Sequence, residues 1–123
     1  MAYSLEIDKD NNLITITYDQ TSTYEDRVTV LDEVISYLKE EPMTNIFIDA
    51  STAGNILTDE QQIEFGKLLG KNSMYFRSNK TAVLKSASLH PVTLGQAFVN
   101  GHTHLAEFYD RREALQWLSG EIR

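Results

Sequence analysis

The first two apolar runs of the chain, YSLEI and LITITY, alternate apolar with polar residues, which is typical of half-exposed β-strands. Between them lie Asp10, Asn11 and Asn12, residue types that favour tight turns. The pattern therefore predicts an N-terminal β-hairpin, so that the sheet begins with an antiparallel pair of strands.

Two capping boxes predict the starts of the next two helices. Ser22 with Glu25 precedes apolar residues at helical spacing, which predicts a first helix that ends before the first proline of the chain. Thr58 with Gln61 repeats the capping pattern, and the second helix is expected to end at Gly70.

Three more strands and two more helices complete the pattern. The strands are the runs NIFIDA, TAVLK and LAEFY. Pro91 suits the first turn of a third helix that ends at Gly101, and Asp110 caps a fourth helix that ends at Gly120. The predicted order is ββαβαβαβα, an α/β fold with a mostly parallel five-stranded sheet, four helices and a single domain over residues 1–123.

Composition narrows the class of protein. The chain has 123 residues and is 41% hydrophobic, enough to bury one core. No apolar run is long enough to span a membrane, and the N-terminus lacks the basic and apolar regions of a signal peptide, so we expect a cytoplasmic protein. The absence of cysteine excludes disulfides, thiolate metal sites and cysteine nucleophiles. The net charge of −7 argues against nucleic acid as a partner.

The charge is unevenly distributed along the chain. Residues 65–106 contain no Asp or Glu, whereas five bases lie there: Lys67, Lys71, Arg77, Lys80 and Lys85. This segment can be acid-free simply because it supplies strand and helix cores. Alternatively, it forms a positive surface for an anionic ligand or for the acidic part of another subunit. A homodimer that sets acidic patches against basic ones would use such a surface.

Polar side chains follow the ends of the third and fourth predicted strands. The C-terminal ends of parallel strands meet at one edge of a sheet, where open α/β sheets bind ligands. A basic side chain there would attract a phosphate or a carboxylate. The candidate ligand-binding residues are therefore Asp49, Ser51, Thr52, Lys85, Ser86 and Ser88.

The search for catalytic and metal-binding sets yields no complete one. His102 and His104 could lie on one face of a strand, but no acid or third histidine is near them in the sequence. Serines beside Lys85 occur at a spacing that is common in loops. A P-loop and a dinucleotide-binding fingerprint are absent. We therefore predict no catalytic residue, no metal and no cofactor.

The C-terminal run EFYDRREALQWL resembles the terminal signature of the SpoIIAA-like family. In it Phe108 closes a strand, Asp110 caps a helix, and three residues face inward: Ala114, Trp117 and Leu118. The N-terminal hairpin and the runs FIDAS and KTAVL agree with this resemblance. The family groups small bacterial proteins related to STAS domains and, more remotely, to CRAL-TRIO lipid-transfer domains. The resemblance implies a sheet of five strands with four helices, and no established chemistry.

The same resemblance bears on phosphorylation. Related anti-sigma-factor antagonists carry a phosphorylated serine in an Asp-Ser-Ser-Gly motif at the start of a helix. At that position this chain reads LTDE, so both the serine and the glycine are missing, and the similar run DASTAG comes too early. We expect Thr58 to be an unmodified helix cap. Ser51 and Thr52 are expected to be loop residues that hydrogen-bond their own backbone.

Three classes of function remain open. The first is a non-catalytic regulatory or protein-interaction module, self-associating as a dimer, which the STAS resemblance implies. The second is a carrier that holds an anion at the strand-end crevice, or a lipid-like molecule as the CRAL-TRIO resemblance implies. The third is an enzyme. We favour the first class, because no complete catalytic set contradicts it.

Overall fold

The computed structural model describes residues 3–52, 57–85 and 105–120. The strands are β1 (Tyr3–Asp8), β2 (Leu13–Tyr18), β3 (Asn45–Asp49), β4 (Thr81–Leu84) and β5 (Leu105–Phe108). The α-helices within these ranges are α1 (Tyr24–Glu40), α2 (Asp59–Lys71) and α3 (Arg111–Ser119), and a short 3-10 helix spans Ser73–Phe76.

The described elements agree with the predicted strands but not with the full predicted order. All five strands are present, and the order over the described residues is ββαβαββα, with three α-helices rather than the predicted four. The helix predicted at 91–101 lies outside the described residues. The 3-10 helix at Ser73–Phe76 was not predicted, because four residues are too few to show a helical period.

The strands form one mixed sheet in the order β1-β2-β3-β4-β5. The first pair, β1 and β2, is antiparallel, and every later pair is parallel. This confirms the predicted hairpin and the mostly parallel sheet. In the register, Ile46 of β3 lies opposite Thr81 of β4, which in turn lies opposite Leu105 of β5.

Different helices pack on the two faces of the sheet. Helices α1 and α2 cover one face, here called the α1/α2 face, whose strand residues include Ile14, Ile16 and Ile46. Helix α3 covers the opposite face, here called the α3 face, which presents Phe47, Ala82 and Leu84. Successive strand residues point to opposite faces. Strands β3 and β4 therefore read as nearly continuous apolar runs, whereas β2 buries every second residue.

The N-cap of α1 corrects one prediction. Thr23, not Ser22, is the N-cap, and Asp26, not Glu25, completes the capping box. The two registers differ by one residue and both fit the sequence pattern. Ser22 is fully buried and its hydroxyl donates a hydrogen bond to the carbonyl oxygen of Asp19 at 2.9 Å, so it belongs to the preceding turn.

The remaining caps follow the predictions more closely. Thr58 and Gln61 form the predicted capping box of α2. That helix ends at Lys71 with Asn72 as its C-cap, so the predicted stop at Gly70 was wrong by one residue. Gly120 ends α3 in the left-handed conformation, with φ of 86°, which glycine adopts without strain.

Candidate functional site

Asp49 lies at the C-terminal edge of the sheet, at the end of β3. Its Oδ1 accepts hydrogen bonds from the amide of Ser51 at 3.0 Å and from the hydroxyl of Ser51 at 2.6 Å. Its Oδ2 accepts a hydrogen bond from Nη1 of Arg111 at 2.8 Å. The side chain of Asp49 is only 12% exposed. We call Asp49, Ser51 and Arg111 the strand-end network.

Arg111 joins this network to α3. It is the first residue of that helix, and its guanidinium carbon lies 5.0 Å from the ring centroid of Phe47 on the α3 face. The arginine is 55% exposed, so part of its guanidinium faces solvent. Because both oxygens of Asp49 accept hydrogen bonds, the network connects β3 to α3.

Thr52 bonds to a different strand. Its hydroxyl donates a hydrogen bond to the carbonyl oxygen of Tyr18, the last residue of β2, at 3.2 Å. The hydroxyls of Ser51 and Thr52 therefore bond to Asp49 and Tyr18, and not to their own backbone as expected from the sequence. Both bonds hold the loop after β3 against the edge of the sheet.

Lys85 follows β4 and points away from the strand-end network. Leu84 lies opposite both Asp49 and Phe108 in the register, so the next residue, Lys85, faces the α1/α2 side. Its ammonium forms an ion pair with Glu107, and its amide donates to the carbonyl oxygen of Phe108 at 2.9 Å. Burial lowers the pKa of Lys85, while the Glu107 carboxylate supplies a counter-charge beside it.

The structure thus brings together only part of the predicted crevice. Asp49 contacts Ser51, Thr52 bonds towards β2, and Lys85 lies on the opposite face of the sheet from Asp49. The edge of a parallel sheet collects strand ends, but the pleat alternates their side chains between two faces, and this separates Asp49 from Lys85. The remaining candidates, at positions 86 and 88, lie outside the described residues. Ligand binding by these residues stays a prediction.

Two of the five bases in the acid-free segment are engaged inside the protein. Lys80 donates to the carbonyl oxygen of Trp117 at 3.2 Å, with its ammonium 5.4 Å from the Trp117 ring centroid, and Lys85 pairs with Glu107. The other three bases are exposed: Lys67, Lys71 and Arg77. The positive surface is therefore smaller than the sequence suggests.

Arg27 is a buried cation that the sequence analysis missed. It lies on α1, is 9% exposed, and its guanidinium carbon is 4.9 Å from the ring centroid of Tyr18. Burial lowers the pKa of Arg27. Its Nε has no hydrogen-bond partner. The available signal was its helical spacing from Leu31 and Val34, which places it on the apolar face of α1.

Arg27 lines a cavity between α1, α2 and the sheet. The cavity has a volume of about 40 Å³. Thr81, 1% exposed, also lines it, and its Oγ1 has no hydrogen-bond partner either. The remaining lining is mostly apolar and includes Ile16, Val34, Ile48, Phe65 and Leu69.

Two exposed methionines lie at the opposite edge of the sheet, where β3 and β4 begin. Met43 is 64% exposed and Met74 is 61% exposed. The side-chain amide nitrogen Nδ2 of Asn79 donates to the carbonyl oxygen of Pro42 at 3.2 Å and to that of Tyr75 at 3.0 Å. These carbonyls belong to the chain neighbours of the two methionines, so Asn79 holds together the backbone segments that carry Met43 and Met74. We call Met43 and Met74 the methionine corner.

Within residues 3–52, 57–85 and 105–120, no three His, Asp or Glu side chains are grouped closely enough to hold a metal ion. The three histidines, at positions 90, 102 and 104, lie outside these ranges. No helix in the same ranges is long and apolar enough to cross a membrane.

Comparison with known proteins identifies the fold. No protein-family model and no curated protein sequence matches the chain. A solved structure does match: an uncharacterised protein of the DUF3478 family with a SpoIIAA-like fold, from Shewanella loihica PV-4. The two share 20% sequence identity with a TM-score of 0.57, over 95% of this chain and 92% of that one. The α/β chain with its five-stranded mixed sheet therefore has a SpoIIAA-like fold.

Proposed function

We propose that the protein is a non-catalytic, self-associating regulatory or protein-interaction module. The methionine corner carries the proposal, because Met43 and Met74 are each more than half exposed and lie in two segments that Asn79 holds together. Methionine is flexible and polarizable, and it is common at surfaces that pack against other proteins. Burial of these two side chains against a partner would remove apolar surface from water.

The charges near the methionine corner suit a second copy of the chain as the partner. Glu40 and Glu41 lie where α1 leads into β3, and Lys71 and Arg77 flank the 3-10 helix that precedes β4. All four side chains are exposed. A two-fold interface pairs the same patch with itself, so a patch that carries both signs can set the acids of one protomer against the bases of the other.

The polar residues at the other edge of the sheet support a non-catalytic role. Both carboxylate oxygens of Asp49 accept hydrogen bonds from within the protein, and Thr58 is engaged in the capping box of α2. Neither is presented as a free base or nucleophile. A bacterial, cytoplasmic setting is part of the proposal, and the cysteine-free sequence fits a reducing compartment.

The test measures the oligomeric state by sedimentation velocity and native mass spectrometry. We expect the wild-type protein to form a dimer. The double variant Met43→Glu with Met74→Glu should weaken it about a hundredfold, because two charges per protomer would be buried without partners. Ile63→Glu is the matched control, since Ile63 is 61% exposed on α2 and lies outside the methionine corner.

Three results would contradict this proposal. A wild-type protein that is monomeric at every concentration would exclude self-association. A dimer weakened equally by Ile63→Glu would place the interface elsewhere. Added salt should weaken the dimer only modestly, because salt screens the charges at the rim but not the apolar contact. Complete dissociation in salt would mean that charge, and not the methionine corner, holds the dimer.

A carrier role at the strand-end crevice is the alternative proposal. If Lys85 contributes to an anion site there, Lys85→Ala should weaken an anionic ligand such as inorganic phosphate while leaving the melting temperature nearly unchanged. Loss of the ion pair with Glu107 predicts a small structural effect as well, since Glu107 is 34% exposed. Equal loss of binding and of stability would make Lys85 structural.

A further inference from the structure

The cavity between α1, α2 and the sheet combines apolar walls with a buried cation. Its volume is about 40 Å³, and Arg27 lines it while exposing only 9% of its surface. Charges interact more strongly in such surroundings than in water, because the local dielectric constant is low. A guanidinium there gains more from a bound anion than an exposed one would.

Nothing in the described part of the chain neutralises Arg27. It forms no ion pair there, and its Nε has no hydrogen-bond partner. Burial raises the pKa of Tyr18, so the phenol under the guanidinium stays protonated and neutral. The adjacent acid, Asp26, is half-buried and accepts the amide hydrogen of Thr23 at 2.9 Å in the helix cap. The contact with the ring of Tyr18 is therefore the main interaction of this cation.

The position of Arg27 on its helix adds to the positive potential. It is the fourth residue of α1, which begins at Tyr24. The first turn of a helix carries the positive end of the helix dipole and favours negative charge. A cation placed there lacks this stabilisation, and an anion bound beside it would gain from both the guanidinium and the helix.

We propose that this cavity binds a short aliphatic monocarboxylate, with the carboxylate paired to the guanidinium of Arg27 and the apolar walls enclosing the tail. A cavity of about 40 Å³ holds about three water-sized groups, which corresponds to a carboxylate of about one or two carbons, such as acetate. Phosphate fits less well, because its oxygens need more donors than the guanidinium of Arg27 alone supplies.

This site is independent of self-association. The methionine corner lies where β3 and β4 begin, whereas Arg27 contacts Tyr18 at the C-terminal end of β2. The oligomeric state reports on the first proposal and carboxylate binding reports on the second, so failure of either leaves the other intact.

Isothermal titration calorimetry at constant ionic strength tests ligand class. We expect sodium acetate to bind, ethanol not to bind measurably, and sodium butyrate to bind more weakly than acetate. Ethanol that binds as well as acetate would show that the cation plays no part. Affinity that rises steadily from acetate to butyrate would overturn the short-chain assignment. No heat with any acid would mean that the cavity holds only water and would overturn the proposal.

Variants test the role of Arg27. Arg27→Met keeps an apolar stem and should weaken acetate binding about 30-fold or more, because a charge-assisted pair is lost. Arg112→Met removes an exposed arginine of α3 and should change nothing. Thr81→Val alters the same cavity at a level about 13 Å from Tyr18 along the strand direction, since Thr81 is level with Ile14, four residues before Tyr18 on β2. Equal losses in Thr81→Val and Arg27→Met would indicate a disturbed cavity and overturn the pairing.

A second measurement does not require the variant to fold. With acetate bound to the wild-type protein, we expect nuclear Overhauser effects from its methyl protons to the Nε hydrogen of Arg27 and to the methyl groups of Ile16, both of which line the cavity. Bound acetate that shows no such contacts would lie elsewhere on the protein and would overturn the assignment of the site.

Discussion

The two faces of the sheet differ in whether their buried polar groups have hydrogen-bond partners. On the α3 face, both carboxylate oxygens of Asp49 accept hydrogen bonds, from Ser51 and from Arg111. On the α1/α2 face, Arg27 and Thr81 each place a buried polar atom without a partner beside a cavity. A buried polar network whose groups are all hydrogen-bonded stabilises a fold, whereas a buried polar atom without a partner lowers the free energy of unfolding. We infer that the α3 face is the more tightly packed and that the α1/α2 face has capacity to bind.

The largest expected effect is the loss of stability when a buried leucine is replaced by alanine, and it can be compared on the two faces of the sheet. Leu84→Ala on the α3 face should lower the free energy of unfolding by about 4 kcal/mol, and Leu69→Ala on the cavity wall by about 2–3 kcal/mol. Both leucines are buried, at 6% and 2% exposure. Leu69 already borders empty space, so its removal breaks fewer contacts. Urea unfolding of both variants measures the difference.

A control separates packing from helix propensity. Ile63→Ala removes an exposed apolar side chain from α2 and should change the unfolding free energy by less than about 0.5 kcal/mol. If Leu69→Ala lowers the free energy of unfolding as much as Leu84→Ala does, the residues beside the cavity are packed as tightly as those on the α3 face. The proposed contrast between the two faces is then wrong.

An intermediate effect is expected in the strand-end network. Asp49→Ala should cost about 2 kcal/mol, because it removes three hydrogen bonds to a mostly buried carboxylate. Arg111→Met should cost only about 0.5 kcal/mol, since Arg111 is 55% exposed and solvent screens its charge. A double-mutant cycle measured by thermal unfolding gives the coupling. A coupling free energy well above about 1 kcal/mol would mean that the ion pair between Asp49 and Arg111, and not the hydrogen bonds from Ser51, is the main stabilising interaction of the network.

Local patterns in the sequence predicted much of this fold. The alternation in LITITY corresponds to β2, which buries every second residue, and the Thr58–Gln61 capping box starts α2. Both signals depend on residues a few positions apart, so they can be read without the tertiary structure. The position of the α1 cap could not, because Ser22 and Thr23 fit the same pattern and only the turn at Asp19 distinguishes them.

The candidate sites were harder to predict because they depend on distant residues. Asp49 and Arg111 are 62 residues apart, and nothing local in the sequence marks them as partners. The separation of Asp49 from Lys85 follows from strand register, which a list of strand ends does not contain. The burial of Arg27 could have been predicted, because it lies at helical spacing from apolar residues of α1. The cavity beside it exists only in the packed structure.

The smallest expected effect is a loss of stability at alkaline pH that depends on Tyr18. Burial raises the pKa of Tyr18 above its ordinary value of 10.0, so the folded protein holds this proton where the unfolded chain releases it. The resulting stability is complete below pH 10.0 and is lost as the pH rises above it. At pH 11 the loss should be about 1 kcal/mol. Tyr18→Phe, which keeps the ring under Arg27, should lack this loss.

Urea unfolding of the two proteins between pH 8 and pH 11 measures this effect as a difference. Burial lowers the pKa of Lys85, so its contribution rises with pH in both proteins and cancels. Below pH 9 the difference in unfolding free energy between the two proteins should be constant, and above pH 10 it should change in favour of Tyr18→Phe. Parallel curves across the whole range would mean that Tyr18 ionises as readily in the folded protein as in the unfolded chain. In that case water would reach the ring and the cation above it, which would count against a dry anion site at Arg27.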